Sequence, residues 1–179
     1  MEKRITDTLL HVENVSRVRL LDAALDLLGR SGAASLTVRA TESAAGLPHG
    51  SVRHHFGDRQ AMVAALFGHL ASRESGPAAG SSPAEAVEHW LGPGRNLTLA
   101  RYELFLMAAR DPSLRTPLIQ ARDRFIALAA ERAGAAAAPA FVAALDGIVL
   151  DTLVRGSHDP GRLRAAIAQI TGHAEASAP

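Results

Sequence analysis

Apolar residues recur at intervals of three and four along most of this 179-residue chain. The first clear stripe has the spacing of one helix face and consists of Val18, Leu21, Leu25 and Leu28. Runs of β-branched or aromatic residues in strict alternation, which a strand needs, are few. We therefore predict an all-α fold, in a chain long enough to bury a real core.

The composition excludes several classes of protein. Cysteine is absent, which rules out disulfides, thiolate metal sites and cysteine nucleophiles. No apolar stretch approaches the roughly 20 residues of a membrane span. The chain opens on the polar residues Glu2, Lys3 and Arg4 rather than on the apolar run of a signal peptide, so we expect a cytoplasmic protein. The net charge of +1 neither indicates nor excludes a nucleic-acid partner.

Caps and breakers divide the chain into two predicted domains. The amino-terminal domain, 1–74, is predicted to hold helices at about 15–30, 37–45, 51–56 and 59–73. The Gly- and Ser-rich segment 74–82 has the composition of a mobile linker. The second domain, 75–179, is predicted to hold helices from Pro83, at 95–109, at 113–133 with a kink or restart near Pro117, at 140–156, and from Pro160.

The segment Thr37–Phe56 has the plan of a helix-turn-helix. Gly46 permits the turn, and Gly50 and Ser51 let the second helix approach a partner closely. The second helix of such a motif enters the major groove of DNA, and the N–H groups at its start favour a phosphate. An ordinary helical hairpin is the simpler alternative.

The motif and its surroundings resemble the TetR family of bacterial transcriptional regulators across about 15–73. The segments that match the family pattern are Leu36-Thr37, Ala45-Gly46-Leu47, Gly50-Ser51-Val52, His55-Phe56 and Gly57-Asp58-Arg59. The second half is similar more loosely, at 100–104, 110–115 and 145–147. The resemblance implies a dimeric regulator, most often a repressor, that binds a palindromic double-stranded DNA operator and responds to a small-molecule effector.

The candidate DNA contacts fall into two groups. Phosphate contacts are expected from Thr37, Arg39, Arg53 and Arg59. Groove contacts are expected from His49, Ser51, His54 and His55, with Pro48 and Gly50 completing the surface that meets DNA.

Three positions depart from the family pattern. Thr41-Glu42 stands where an apolar residue and a small one are usual, so we expect Glu42 either to turn outward or to meet a cation, because burying a lone carboxylate is costly. Arg53 replaces a frequent tyrosine, and Arg59 replaces a common lysine.

The effector is expected in an apolar cavity of the second domain. The candidate ligand contacts are His89, Trp90, Arg101, Tyr102, Phe105, Phe125, Phe141 and Asp146. Plain core packing is the alternative for each aromatic residue, and a salt bridge with Arg122 or Arg155 is the alternative for Asp146. The apolar helix at 140–156, with Leu145 and Val149, and the last helix are predicted to form the homodimer interface.

Other functions are less well supported by the sequence. An enzyme would need a nucleophile with its base or a metal constellation, and neither is convincing. A metal site at His49, His54 and His55 is disfavoured because adjacent helical residues point about 100° apart. No cofactor or metal is therefore predicted. The main alternative is a TetR-like module that binds a ligand or a protein and has lost DNA binding, which the departures at Thr41-Glu42 and Arg53 favour.

Overall fold

A computed structural model describes residues 2–78, 81–156 and 159–176 and shows an all-α protein. No strand occurs within these three ranges. The helices are α1 (Glu2–Ser31), α2 (Val38–Ala44), α3 (Ser51–Phe56), α4 (Arg59–Ala78), α5 (Pro83–Leu91), α6 (Arg95–Arg110), α7 (Arg115–Ala133), α8 (Ala138–Arg155) and α9 (Pro160–Ala176). Across the described residues, no helix is both long and apolar enough to cross a bilayer.

The chain forms two compact units. The first holds the chain up to Leu70 together with Leu99–Leu118, and the second holds Ala71–Thr98 and the chain from Ile119 onward. Helices α4, α6 and α7 therefore each contribute residues to both units. In the first unit, the Gln60 amide donates to Ser113 Oγ (2.6 Å) and Glu103 accepts from the Ala33 N–H (3.2 Å), so both bonds join Leu99–Leu118 to the amino-terminal helices.

The core of the first unit is built on one face of α1. Leu20, Leu21, Ala24, Leu25 and Leu28 are all buried there. Val18, at the edge of the predicted stripe, stays 38% exposed. Gly32 ends the helix with a φ of 72° and donates its N–H to the Leu28 carbonyl, as a glycine at this position commonly does.

The turn between α2 and α3 is closed by backbone hydrogen bonds. Thr37 begins α2 by accepting from the Ala40 N–H. At the other end, Gly46 adopts a φ of 60° while Leu47 donates to the Glu42 carbonyl and Gly46 to the Ser43 carbonyl. This pair of bonds is a Schellman motif, which reverses the chain directly after α2.

Two helices are longer than the sequence predicted. Helix α1 begins at Glu2 instead of near Val15. The prediction began at the stripe that holds Val18 and overlooked Ile5, Leu9 and Val12, which also recur at helical spacing. Helix α4 runs on to Ala78, so the predicted linker is wrong for its first five residues. Glu74 is buried, and the Ser75 hydroxyl donates to the Ala71 carbonyl, so both residues lie in the helix past the predicted boundary.

The caps predicted in the second half are confirmed. Ser82 and Glu85 form a reciprocal capping box at the start of α5. Asp159 accepts from the Gly161 N–H at the start of α9. Pro117 is the third residue of α7, where a backbone N–H has no partner within the helix.

Helix α8 is buried on one face only. Its inner face carries Phe141, Val142, Leu145 and Val149, which are buried where α8 packs with α5 and α9. Leu150 and Val154 lie outside this core and are 45% and 78% exposed. Leu145 and Val149 therefore belong to the core of the chain itself, and Leu150 and Val154 mark its open face.

Candidate nucleic-acid interface

Glu42 is the central residue of the helix-turn-helix. It lies on α2 and is only 2% exposed. Its Oε1 accepts hydrogen bonds from the backbone N–H groups of Gly50 (3.0 Å) and Val52 (2.9 Å), and its Oε2 lies 3.0 Å from His49 Nδ1. Glu42 therefore does not turn outward. It meets His49, with which it forms a salt bridge when the ring is protonated, and also two backbone N–H groups that the sequence did not predict. The carboxylate is buried against the start of α3, where backbone N–H groups stabilise a negative charge.

This arrangement supplies a cap that α3 lacks locally. Gly50 is the N-cap residue and has no side chain to accept from the first turn. Glu42 supplies the missing acceptor from the preceding helix.

The expectation that the start of α3 offers its N–H groups to a DNA phosphate fails for three residues. The N–H groups of Gly50 and Val52 are bonded to Glu42, and that of Ser51 is bonded to the Pro48 carbonyl. These three donors are therefore already used within the protein.

The hydrogen bonds hold Glu42 in its charged form. The pKa of Glu42 is lowered from its ordinary value, chiefly by the hydrogen bond from the Val52 N–H. Burial acts in the opposite direction, and the bonds from His49 and Gly50 add to the lowering. The carboxylate is therefore ionised at neutral pH.

Most of the predicted DNA contacts lie on the protein surface. Seven are exposed: Thr37, Arg39, Pro48, His49, Arg53, His54 and Arg59. Gly50, Ser51 and His55 are intermediate in exposure, and Val52 between them is buried. Helix α3 thus buries Val52 in the core and presents charged or polar residues on either side of it.

Besides His49, three of these side chains also have a hydrogen bond within the protein. The Thr37 hydroxyl accepts from Ala40, and Arg59 Nε donates to the Leu36 carbonyl at 2.9 Å. The Ser51 hydroxyl donates to the Pro48 carbonyl at 2.6 Å, which leaves its oxygen as an acceptor. These bonds fix the orientation of the three side chains before any partner arrives.

The two adjacent histidines differ in their surroundings. His54 is exposed and lies 3.8 Å from Glu13 of α1. His55 is partly covered, and burial is the main cause that lowers its pKa, so the ring is neutral at pH 7. We therefore expect His54 to contribute more than His55 to any contact with DNA.

Sequence reasoning missed two arginines of α1. Arg17 donates to the His55 carbonyl (2.7 Å) and lies over the Phe56 ring, and Arg19 donates to the Ala45 carbonyl (2.6 Å). Both bonds link α1 to the carboxyl-terminal ends of α2 and α3, where a positive charge is favourable. Their only signal in the sequence is their location on the polar side of an apolar stripe.

The eight candidate effector contacts divide between the two units. Arg101, Tyr102 and Phe105 are in the first unit, where Tyr102 packs edge-on against Phe105 and the Arg101 guanidinium lies 5.2 Å from the Tyr102 ring. The second unit contains His89, Trp90, Phe125, Phe141 and Asp146.

Packing and ion pairing account for several members of the second group. The rings of Trp90 and Phe125 have centroids 5.7 Å apart, and both Trp90 and Phe141 are buried. Asp146 accepts from Arg122 at 2.8 Å, which is one of the two salt bridges considered for it.

Two cavities in the described part of the chain are relevant to an effector site. A groove of about 810 Å³ between α8 and α9 is lined by Ile148, Asp151, Arg155, Arg162 and neighbouring residues. A smaller cavity of about 280 Å³ lies between Arg59 and Val63 of α4 and Met107 of α6. None of the eight candidates lines either one. Within the described ranges, no group of three His, Asp or Glu residues is placed to hold a metal ion.

Two helices joined by a tight turn, with the second packed through Val52 and flanked by exposed Arg and His side chains, define a DNA-binding protein of the helix-turn-helix class. Family models match both halves of the chain. Residues 20–66 match "Bacterial regulatory proteins, tetR family", and residues 81–173 match "Tetracyclin repressor-like, C-terminal domain". The chain belongs to the TetR family of transcriptional regulators.

Solved structures agree with this assignment. A member of the TetR family from Streptomyces coelicolor A3 is 30% identical, with a TM-score of 0.73 over 87% of this chain and 97% of the other. The multidrug binding protein EbrR in complex with proflavin is 33% identical, with a TM-score of 0.64 over 87% and 99%. EbrR in complex with ethidium is 29% identical, with a TM-score of 0.72 over 87% and 98%. No curated protein matches the chain.

Proposed function

We propose that this regulator is a ligand-responsive repressor that binds a palindromic operator as a homodimer. Residues 1–74 meet DNA in this proposal, and residues 75–179 bind the effector and the second subunit. The observation that carries it is the surface of the helix-turn-helix, where Arg39, His49, Arg53 and His54 are exposed around a buried, internally capped α3.

The alternative of a module that has lost DNA binding depended on Thr41-Glu42 and Arg53. The cap formed by Glu42 supports DNA binding instead, because the acidic residue is used to build α3 and is hidden from a phosphate. Arg53 is exposed and offers a charged, bidentate donor to the backbone of DNA.

The second subunit is proposed to cover α8 and α9. The exposed Leu150 and Val154 and the adjoining groove support this, because exposed apolar residues beside a groove are typical of an interface. Two helix-turn-helix domains related by a two-fold axis bind the two half-sites of a palindromic operator.

The proposed effector is a small organic molecule. The support comes from EbrR, which has been solved with ethidium and with proflavin. In this chain the eight candidate residues from His89 to Asp146 remain the proposed contacts. Such a ligand reduces operator binding only if it binds the DNA-incompetent arrangement more tightly.

DNA binding is tested by fluorescence anisotropy with duplexes from the upstream region of the gene, at two salt concentrations. Binding is expected to weaken steeply as salt rises, because phosphate contacts release counterions. Arg53→Ala is expected to weaken binding and to reduce the magnitude of the slope of log K against log salt by about 1.8, because the dimer loses two phosphate contacts at about 0.9 each. Arg124→Ala, an exposed arginine of α7, is the matched control. Absence of binding at low salt by the unaltered protein would contradict the proposal.

A further inference from the structure

Glu42 and His49 are paired in a way that joins the core of the motif to its surface. The Glu42 side chain is 3% exposed, whereas that of His49 is 89% exposed. Only 3.0 Å separates His49 Nδ1 from Glu42 Oε2, a hydrogen-bonding distance. One nitrogen of the exposed ring is thus held by a buried group, and the other nitrogen, Nε2, belongs to the exposed part of the ring.

The chemistry of this pair determines which nitrogen carries the proton. An ionised carboxylate can only accept hydrogen bonds, so His49 Nδ1 must be the donor. In the neutral imidazole the remaining nitrogen, Nε2, then has a lone pair and acts as an acceptor.

Among the residues that the structure describes, His49 is the only side chain that forms a hydrogen bond with the Glu42 carboxylate. The other bonds to the Glu42 carboxylate come from the backbone of Gly50 and Val52. On α1, the Arg19 guanidinium nearest this turn donates to the Ala45 carbonyl. On α3, the neighbouring His54 lies beside Glu13.

We infer that Glu42 is a positioning residue that fixes His49 as a hydrogen-bond acceptor and so helps to select the base read at that position. In the major groove an acceptor pairs with an exocyclic amino group, which adenine and cytosine carry. Neutral His49 therefore favours adenine or cytosine and disfavours the acceptor-rich edge of guanine. This inference rests on the proposed function, since it requires that His49 reaches a base.

The variant Glu42→Gln reverses the polarity of the pair while preserving its shape. The amide oxygen of glutamine keeps the bonds from Gly50 and Val52. Its NH₂ group then takes the place of Oε2 and donates to His49 Nδ1, which requires the lone pair of that nitrogen. The proton of the neutral ring moves to Nε2, so the exposed nitrogen becomes a donor suited to guanine N7 or O6.

The first measurement is ¹⁵N NMR of the histidine rings at pH 8, above the ordinary imidazole pKa of about 6.5. The His49 signals, assigned with His49→Gln, are expected to show the Nδ1–H tautomer in the unaltered protein and the Nε2–H tautomer in Glu42→Gln. An Nε2–H tautomer in the unaltered protein would overturn the inference without any use of DNA.

The second measurement is selection of bound duplexes from a random library at the same pH, followed by sequencing. Relative to the unaltered protein, Glu42→Gln is expected to shift one symmetric pair of positions toward guanine by roughly five- to tenfold in relative affinity. The matched control Glu88→Gln, which removes a carboxylate from α5, is expected to recover the original sequence.

The variant His49→Ala distinguishes a failure of this inference from a failure of the proposed function. It is expected to retain duplex binding and to lose the preference at that pair of positions. If His49→Ala or Glu42→Gln recovers an unchanged sequence, the inference is wrong while the proposed function stands. If the unaltered protein retains no duplex, both are wrong.

Discussion

The Val52 N–H donates to Glu42 Oε1 across 2.9 Å in the buried part of the helix-turn-helix. The charged carboxylate of α2 therefore anchors the start of α3. Replacing Glu42 with alanine leaves this N–H and that of Gly50 without their acceptor. Each lost bond to a charged group costs energy, and a cavity adds to the cost. We expect the free energy of unfolding of Glu42→Ala to fall by about 2–3 kcal/mol in a urea titration at pH 7. Glu13→Ala, which removes an exposed carboxylate of α1, is the control. An equal loss in the free energy of unfolding for the two variants would contradict the role of Glu42 as a cap.

Acid is expected to weaken the same anchor. The pKa of Glu42 is lowered from 4.5 in the folded protein, so in the pH range below 4.5 the unfolded chain binds more protons than the folded one. The stability that Glu42 contributes is present above pH 4.5 and is lost as the pH falls through the folded pKa. Urea titrations between pH 7 and pH 3 are expected to show a stability difference between the unaltered protein and Glu42→Gln that shrinks on acidification. A difference that stays constant with pH would show that the carboxylate charge contributes nothing.

Thr41 offers a contrast with Thr98. Both side chains are fully buried, but the Thr41 hydroxyl oxygen has no hydrogen-bond partner among the described atoms, whereas that of Thr98 donates to the Gly94 carbonyl at 3.1 Å. Thr41→Val replaces the hydroxyl by a methyl group of similar size. We expect it to leave stability unchanged or to raise it by up to about 1 kcal/mol, and Thr98→Val to lower it by about 1 kcal/mol. Thermal unfolding of the pair measures this, and equal effects at the two sites would refute the distinction.

The proposed dimer interface on α8 is tested at the outer face of that helix. Val154→Glu, alone or with Leu150→Glu, is expected to give monomers in sedimentation, because a buried unpaired carboxylate opposes association. Leu106→Glu serves as the control, since this leucine of α6 is 49% exposed and lies outside α8 and α9. Leu145 and Val149 are unsuitable for this purpose because they are buried within the chain, and charging them would unfold it. A dimer that persists in the double variant would exclude this face.

The sequence predicted the features that local chemistry determines. The bounds of α3, the capping box at Ser82 and the cap at Asp159 each depend on residues within four positions, and the structure confirms them. The partners of Glu42 were missed because they lie several residues away in the sequence. The end of α4 was missed because the Gly- and Ser-rich composition of 74–82 indicated a linker where the helix continues. Glu42 reaches forward eight and ten residues to Gly50 and Val52, and no periodicity in the chain reveals such a bond.

The internal cap also has a consequence for how this regulator can diversify. The acceptor that stabilises the start of α3 lies on α2, so the capping function does not occupy His49 or Ser51 at the surface. Most helices that begin with Ser, Thr, Asp or Asn use that side chain as the cap and cannot exchange it freely. With the proposed groove contacts, substitutions at 49 and 51 change what the motif offers to DNA while Glu42 keeps its bonds to the Gly50 and Val52 N–H groups; a substitution at 49 removes only the bond from His49.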